Sequence, residues 1–129
     1  MLNSDYEFFA TYWPQMLTTL AAQDSVMKRI INGKRYDTDS ANYIGTYAHG
    51  HPGDFGWFEE DLYRTSKGEY FIAGEGGAMS KYARSAGGNS WSGGSAITPI
   101  EKQYAFAWAQ ECLSADEVDQ EFGDEISDA

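Results

Sequence analysis

The chain has 129 residues, of which 20 are acidic and 9 are Lys or Arg, so its net charge at pH 7 is −11. A chain of this length forms one hydrophobic core, and a charge of this sign disfavours direct binding to nucleic acid or to an anionic membrane. The single cysteine excludes an intrachain disulfide. No apolar run approaches the ~20 residues that span a bilayer, and Asp5 and Glu7 lie where a signal peptide carries basic residues. We therefore expect a soluble protein of a reducing compartment.

Residues 1–26 form the first predicted element, a helical N-terminal arm. Phe8, Tyr12, Met16 and Leu20 recur every four residues, which is the spacing of an apolar helix face. Pro14 interrupts this pattern, and a proline inside a helix bends or splits it. We expect the arm to pack on the core or on a partner, because a domain that starts at residue 27 would open directly into a strand.

Strand and turn patterns dominate the middle of the chain. Asn32-Gly33 lies between strand-like flanks and predicts a hairpin over 30–36, because a type I′ turn needs positive φ at both central positions. Further strands are predicted at 43–48, 57–65 and 69–73, with a turn at 66–68. The glycine-rich residues 74–77 predict the end of the last strand. A short helix is predicted at 78–85 and a loop at 86–95.

Two helices are predicted near the C-terminus, each behind a capping box. Thr98 and Glu101, with Pro99 at the first helical position, predict a helix over 98–113. Ser114 and Glu117 predict a second, shorter helix that ends near residue 123. Residues 124–129 are then a frayed acidic tail.

These elements predict an α+β fold, in which an antiparallel sheet of about four to five strands carries N- and C-terminal helices packed on it. The predicted organisation is a helical arm at 1–26, an α+β core domain at 27–123 and an acidic tail at 124–129. Cys112 falls on the apolar side of the first C-terminal helix, so a buried, unreactive thiol is expected there.

Two loop patterns suggest chemistry, and for each we favour a structural interpretation. His49, His51 and Asp54 resemble a set of metal ligands, but a solvated glycine-rich loop accounts for them without a metal. The glycines at 74–77 resemble a phosphate-binding loop, yet no Lys-Ser/Thr pair follows and Glu75 repels an anion. Glycines that provide positive φ or a close backbone crossing are the favoured explanation.

The carboxylates Glu59, Glu60 and Asp61 with Glu75 resemble an acid/base pair, which needs two carboxyl groups in unlike environments. Because strand residues alternate, Glu59 and Asp61 share one face and Glu60 points away. We favour a charged, solvated edge strand that discourages aggregation. No catalytic residue, cofactor or metal is predicted.

A family resemblance rests on residues 62–77, LYRTSKGEYFIAGEGG, with Tyr82-Ala83, on residues 28–37, KRIINGKRYD, and on Asn89-Ser90-Trp91. Over about 27–123 the chain resembles a family of small acidic proteins found on phages, plasmids and conjugative elements of bacteria. The resemblance implies the cytoplasm of a bacterial host and transfers no catalytic residue. Small acidic proteins of mobile elements are often inhibitors of host defence, such as anti-CRISPR or anti-restriction proteins, so a role of that kind is implied.

Acidic residues are concentrated at the C-terminus, at a density comparable to that of DNA phosphates. We expect stoichiometric inhibition of a Cas effector or restriction complex, in which an acidic, DNA-mimicking surface occupies a basic surface of that partner. The predicted partner-binding residues are Asp116, Glu117, Asp119, Glu121, Asp124, Glu125, Glu59, Glu60, Asp61 and Trp91. Two alternatives stay open: a self-associating structural or regulatory module that uses the N-terminal helix, and a small enzyme that disables its target catalytically.

Overall fold

The structure of the protein, a computed structural model, describes residues 27–129. The predicted helical arm at 1–26 lies outside the described residues. Strand β1 (Lys28–Ile31) and strand β2 (Lys34–Asp37) form a hairpin, in which Lys28 pairs with Asp37 and Ile31 with Lys34. Asn32 has φ 52° and Gly33 has φ 79°, so the type I′ turn predicted from this dipeptide is confirmed.

Three strands follow as an antiparallel meander: β3 (Asn42–His49), β4 (Phe58–Arg64) and β5 (Tyr70–Gly76). Gly68 has φ 90° and makes the tight turn between β4 and β5. The sequence predicted that the last strand ends before Gly74, which is wrong. Gly74 belongs to β5, where it pairs with Glu60 of β4 on one side and with Ala96 on the other side. A Cβ at this position would lie 2.0 Å from the hydroxyl oxygen of Tyr82, so the glycine allows a close approach rather than a chain break.

The helix predicted at 78–85 is wrong, because this segment consists of turns that lead into a small ribbon. The hydroxyl of Ser80 donates to the carbonyl of Gly77 at 2.8 Å, a local bond that competes with helix formation. Strand β6 (Arg84–Ser85) then pairs with strand β7 (Trp91–Ser92), so part of the predicted loop at 86–95 is also strand.

The helix predicted to start at Thr98 is wrong as well. Residues Gly94–Ile100 form strand β8, which pairs with β5 and completes the sheet order β3-β4-β5-β8. Proline is tolerated in β8 because β8 is an edge strand, where a missing N–H need not break the ladder. Pairing with β5 buries Ile97 and outweighs the local capping pattern.

Two helices close the fold: α1 (Lys102–Cys112) and α2 (Ala115–Phe122), followed by a 3-10 turn at Gly123–Glu125. Helix α1 begins after Glu101, whose side chain makes no capping bond. The box at Ser114 is confirmed, since Ser114 Oγ accepts from the Glu117 N–H at 3.2 Å and Glu117 Oε1 accepts from the Ser114 N–H at 3.0 Å. Neither α1 nor α2, the α-helices of the described part of the chain, is long and apolar enough to cross a membrane.

The sheet carries a hydrophobic cluster on each face. On one face, Leu62 and Ile72 pair across β4 and β5 and pack against the helices. On the other face, the neighbouring pair Tyr63 and Phe71 stacks at a centroid distance of 5.2 Å, and the buried Tyr36 of the hairpin packs on Phe71. The predicted α+β class and the four-stranded antiparallel sheet with C-terminal helices are therefore confirmed, as three layers: helices, sheet and hairpin.

Candidate functional sites: an acidic helical face and a cleft over Glu60

The exposed side of α2 and the turn after it hold most of the predicted partner-binding acids. Val118 and Phe122 are buried against the sheet, so the opposite side of α2 faces solvent. Asp116, Asp119 and Asp124 are exposed and form no ion pair with another described residue. We refer to these three residues as the acidic helical face.

The other predicted acids of this region have partners within the fold. Glu117 is exposed but completes the capping box, and Glu125 pairs with Lys102 at 3.0 Å, which holds the start of the predicted frayed tail in a turn. Glu121 is only 12 % exposed and accepts bonds from Arg64 and, at 2.8 Å, from the hydroxyl of Tyr70. Glu121 thus fastens α2 to the sheet and is not part of the open surface.

Charge is segregated between the two layers that cover the sheet. Residues 101–129 contain nine acidic residues and one basic residue, Lys102. The hairpin region, 27–37, contains four basic residues and one acidic residue, Asp37. Because helices and hairpin pack on opposite faces, the strongly negative layer and the positive layer are separated by the sheet. A cleft of about 690 Å³ beside the hairpin is bordered by the basic residues Lys34, Arg35 and Lys67 and by the acidic residues Asp37 and Glu69, of which Glu69 pairs with Lys34.

The carboxylates at 59–61 are not on a solvated edge, and that interpretation is wrong. Strand β4 lies between β3 and β5, inside the sheet. Glu59 pairs with Glu75 on the hairpin face; partial burial, followed by the charges of Asp61 and Glu75, raises the pKa of Glu59 above its ordinary value. Burial also raises the pKa of Asp61, although a hydrogen bond from the Thr46 hydroxyl at 2.7 Å acts to lower it.

Glu60 faces the helices and is 6 % exposed, so it cannot serve as a surface contact in this conformation. Its Oε2 accepts from the Tyr82 hydroxyl at 2.6 Å and from Lys81 Nζ at 2.9 Å, and its Oε1 accepts from Trp108 Nε1 at 3.1 Å. Burial acts to raise the pKa of Glu60, but these three donors outweigh it and the pKa lies below its ordinary value. The carboxylate is therefore held ionised in a buried position.

A cleft of about 490 Å³ opens over Glu60, between the helical face of the sheet and α1. It is bordered by aliphatic and aromatic side chains together with the Glu60 group: Ile72, Ile100, Tyr104, Trp108, Lys81 and Tyr82. Sequence reasoning did not find this site. The one available signal was strand alternation, which places Glu60 on the same face as the apolar Leu62.

Trp91 lies on β7 and is 60 % exposed, on a different element from the acidic helical face. The histidine loop has structural contacts: the His49 ring stacks on Phe58 at 5.4 Å, and Asp54 accepts from the His51 N–H at 3.1 Å. Within residues 27–129, no three His, Cys, Asp or Glu side chains are grouped as metal ligands. Cys112 is half-buried rather than fully buried, and this burial raises the pKa of its thiol.

Comparison of the chain with models of protein families finds no match. No curated protein and no solved structure matches it either.

Proposed function

We propose that this protein is a stoichiometric, non-catalytic inhibitor of a nucleic-acid-handling defence complex in the cytoplasm of a bacterial host. In this proposal the acidic helical face binds the basic surface on which that complex holds DNA or RNA. The observation that carries the proposal is the position of Asp116, Asp119 and Asp124. They are exposed and without an ion-pair partner among the described residues, on a layer with almost no positive charge.

The spacing of these charges supports competition with nucleic acid. Helix α2 has eight residues and carries three exposed acids, Asp116, Glu117 and Asp119. At a rise of 1.5 Å per residue this is roughly one charge per 4 Å of helix axis, close to the ~3.4 Å of duplex axis for each phosphate of one DNA strand. Such a surface speeds association with a basic groove and opposes binding to acidic proteins.

Tight binding also needs apolar contacts near the acidic residues, because electrostatic attraction raises the association rate more than it raises the affinity. Tyr104 of α1 is 60 % exposed, and Ile126, just after the 3-10 turn, is also exposed. Both residues belong to the helical layer, so in this proposal they contribute apolar contacts to the same partner.

The test compares two variants with the same change in charge. The first carries Asp116→Asn, Asp119→Asn and Asp124→Asn, which neutralise the acidic helical face and leave the capping box and the Glu121 contacts intact. The control carries Asp39→Asn, Asp54→Asn and Glu75→Gln, which lie outside the helical layer and are not among the predicted contacts. Each is mixed with purified Cas effector and restriction complexes, and both complex formation and nucleic-acid binding by the complex are measured.

We expect wild type and control to bind one of these complexes near one-to-one and to displace its nucleic acid, and the first variant to lose both effects. Equal binding by both variants would contradict the proposal. Inhibition far below one-to-one would favour a small enzyme. Failure to bind any complex, together with a mass that rises with concentration, would favour a self-associating module.

A further inference from the structure

The cleft over Glu60 contains none of the three residues of the acidic helical face and has the composition of a ligand site. Its volume of about 490 Å³ falls within the 300–1,000 Å³ of typical small-molecule sites. Its walls are mainly apolar, and its one buried charge is the Glu60 carboxylate. Binding sites of this kind combine an apolar lining with a few polar groups that orient the ligand.

The hydrogen bonds of Glu60 leave room for a ligand donor. A carboxylate has about four acceptor positions, and the described side chains fill three of them. Among the side chains of residues 27–129, Oε1 accepts from Trp108 alone, so this oxygen has the capacity for one further donor. A bound anion would instead be repelled by this carboxylate, which its donors keep ionised.

Lys81 indicates which chemistry the site accepts. Its ammonium group forms an ion pair with Glu60 Oε2. The same group lies above the Phe58 ring, 4.9 Å from the ring centroid. The Lys81 side chain is nevertheless 57 % exposed, on a segment of turns, so it has solvent to turn into when another cation takes its place. An ammonium from outside can then occupy the position that Lys81 vacates.

The walls favour a cation with an apolar stem. Trp108 and Tyr104 border the cleft, and their ring faces attract cations. Ile72 and Ile100 on the sheet provide apolar contact for an alkyl or aromatic body. Tyr104 is 60 % exposed, and a ligand would cover it.

We propose that this cleft binds an organic cation, an ammonium or guanidinium head on an apolar stem, with the head on Glu60 and the stem against Tyr104 and Trp108. The same chemistry is found in a free amine and in a Lys or Arg side chain of another protein. The two sources are separated by the probes used below. This proposal does not depend on the inhibitor function.

The test follows the Trp108 indole N–H by NMR in the full chain, with the signal assigned by its loss in Trp108→Phe. The probes are tryptamine, as a free amine with an aromatic stem, and a short Lys/Arg-containing peptide with blocked ends. Indole-3-propionate is the matched anion. We expect tryptamine at millimolar concentration to shift the Trp108 signal saturably and indole-3-propionate to leave it in place. A response to the peptide but not to tryptamine identifies a protein side chain as the source.

Two variants test the roles of individual residues. Lys81→Met removes the competing ammonium and should bind tryptamine about tenfold more tightly, since a charge-assisted bond to Glu60 becomes available. Tryptamine should also raise the melting temperature of Lys81→Met more than that of wild type. Lys67→Met, which makes the same change in charge outside this cleft, is the control. Tyr104→Ala alters an exposed side chain and should weaken binding several-fold.

The proposal is overturned if neither cation moves the Trp108 signal in wild type or Lys81→Met, or if indole-3-propionate moves it equally. It is also overturned if Lys67→Met tightens binding as much as Lys81→Met, because the effect is then one of net charge. The Asp116/Asp119/Asp124 variant should bind tryptamine normally. That result separates this site from the inhibitor function, whichever way the inhibitor test ends.

Discussion

The indole N–H of Trp108 donates to Glu60 Oε1 at 3.1 Å, and this bond joins α1 to the central part of the sheet. The two residues are 48 positions apart in sequence. Tyr82, from the turns between β5 and β6, reaches the same carboxylate. One buried acid therefore links three parts of the chain that have no local connection.

We expect Glu60→Gln to lower the free energy of unfolding by about 2 kcal/mol at pH 7, because an amide N–H would face buried donors and the charged bonds would be lost. Urea unfolding followed by tryptophan fluorescence measures this. The pKa of Glu60 is lowered in the fold, so its contribution is present above about pH 4.5 and is lost as the pH falls through the folded-state value. A difference in the free energy of unfolding between wild type and Glu60→Gln that stays constant from pH 7 to pH 3 would contradict this account.

Glu59→Gln should change the free energy of unfolding in the opposite direction. The pKa of Glu59 is raised in the fold, so the charged form is disfavoured, and this penalty appears as the pH rises above its ordinary value of 4.5. Because Glu59 is only partly buried, we expect a gain of at most about 0.5 kcal/mol at pH 7 and none at pH 3. Thermal unfolding at the two pH values tests this, with the exposed Asp39→Asn as a control that changes little at either.

Glu121→Gln should cost about 1–2 kcal/mol, since it weakens the attachment of α2 to Arg64 and Tyr70. Asp119→Asn, on the exposed side of the same helix, should change the free energy of unfolding by less than about 0.5 kcal/mol. Both are measured by urea unfolding. Equal losses would mean that α2 is stabilised by its overall charge and not by this contact.

Gly74→Ala should cost about 2–3 kcal/mol, because the new Cβ would overlap the ring and hydroxyl of Tyr82. Displacement of Tyr82 also removes one of the donors to Glu60. Gly56→Ala is the matched control, since its Cβ would have no atom within 4 Å, and we expect a change within about 0.5 kcal/mol. Melting temperatures that fall equally in the two variants would contradict this account, because Ala at an unhindered position reduces the entropy of the unfolded chain and does not by itself destabilise the fold.

Local signals in the sequence predicted the features that local forces determine. Asn32-Gly33 specifies its own turn, and Ser114 with Glu117 specifies the start of α2, because both depend on contacts within four residues. The same type of signal failed at Thr98, where pairing of β8 with β5 brings together residues far apart in sequence and overrides the capping pattern.

The same distinction between local signals and long-range contacts applies to the candidate sites. The exposure of Asp116 and Asp119 follows from the amphipathic pattern of α2 and could be predicted. The role of Glu60 could not, because its donors arrive from the 77–83 turns and from α1 only after the sheet has formed. The strand end predicted from the glycines at 74–77 is wrong, but the close backbone crossing also predicted from them is confirmed. A Cβ at Gly77 would lie 2.7 Å from the carbonyl oxygen of Phe55, and the absent side chain at Gly74 makes space for Tyr82.

The positive hairpin and the negative helices, held apart by one sheet, give the described part of the molecule an electric dipole across its thickness. In the field of a charged surface this dipole exerts a torque, so the molecule turns before it makes contact. Screening limits the effect to about 8 Å at physiological ionic strength. Rotation over this short distance turns α2 toward a cationic surface and the hairpin toward an anionic one. Salt concentration therefore controls the orientation of the first encounter as well as its rate.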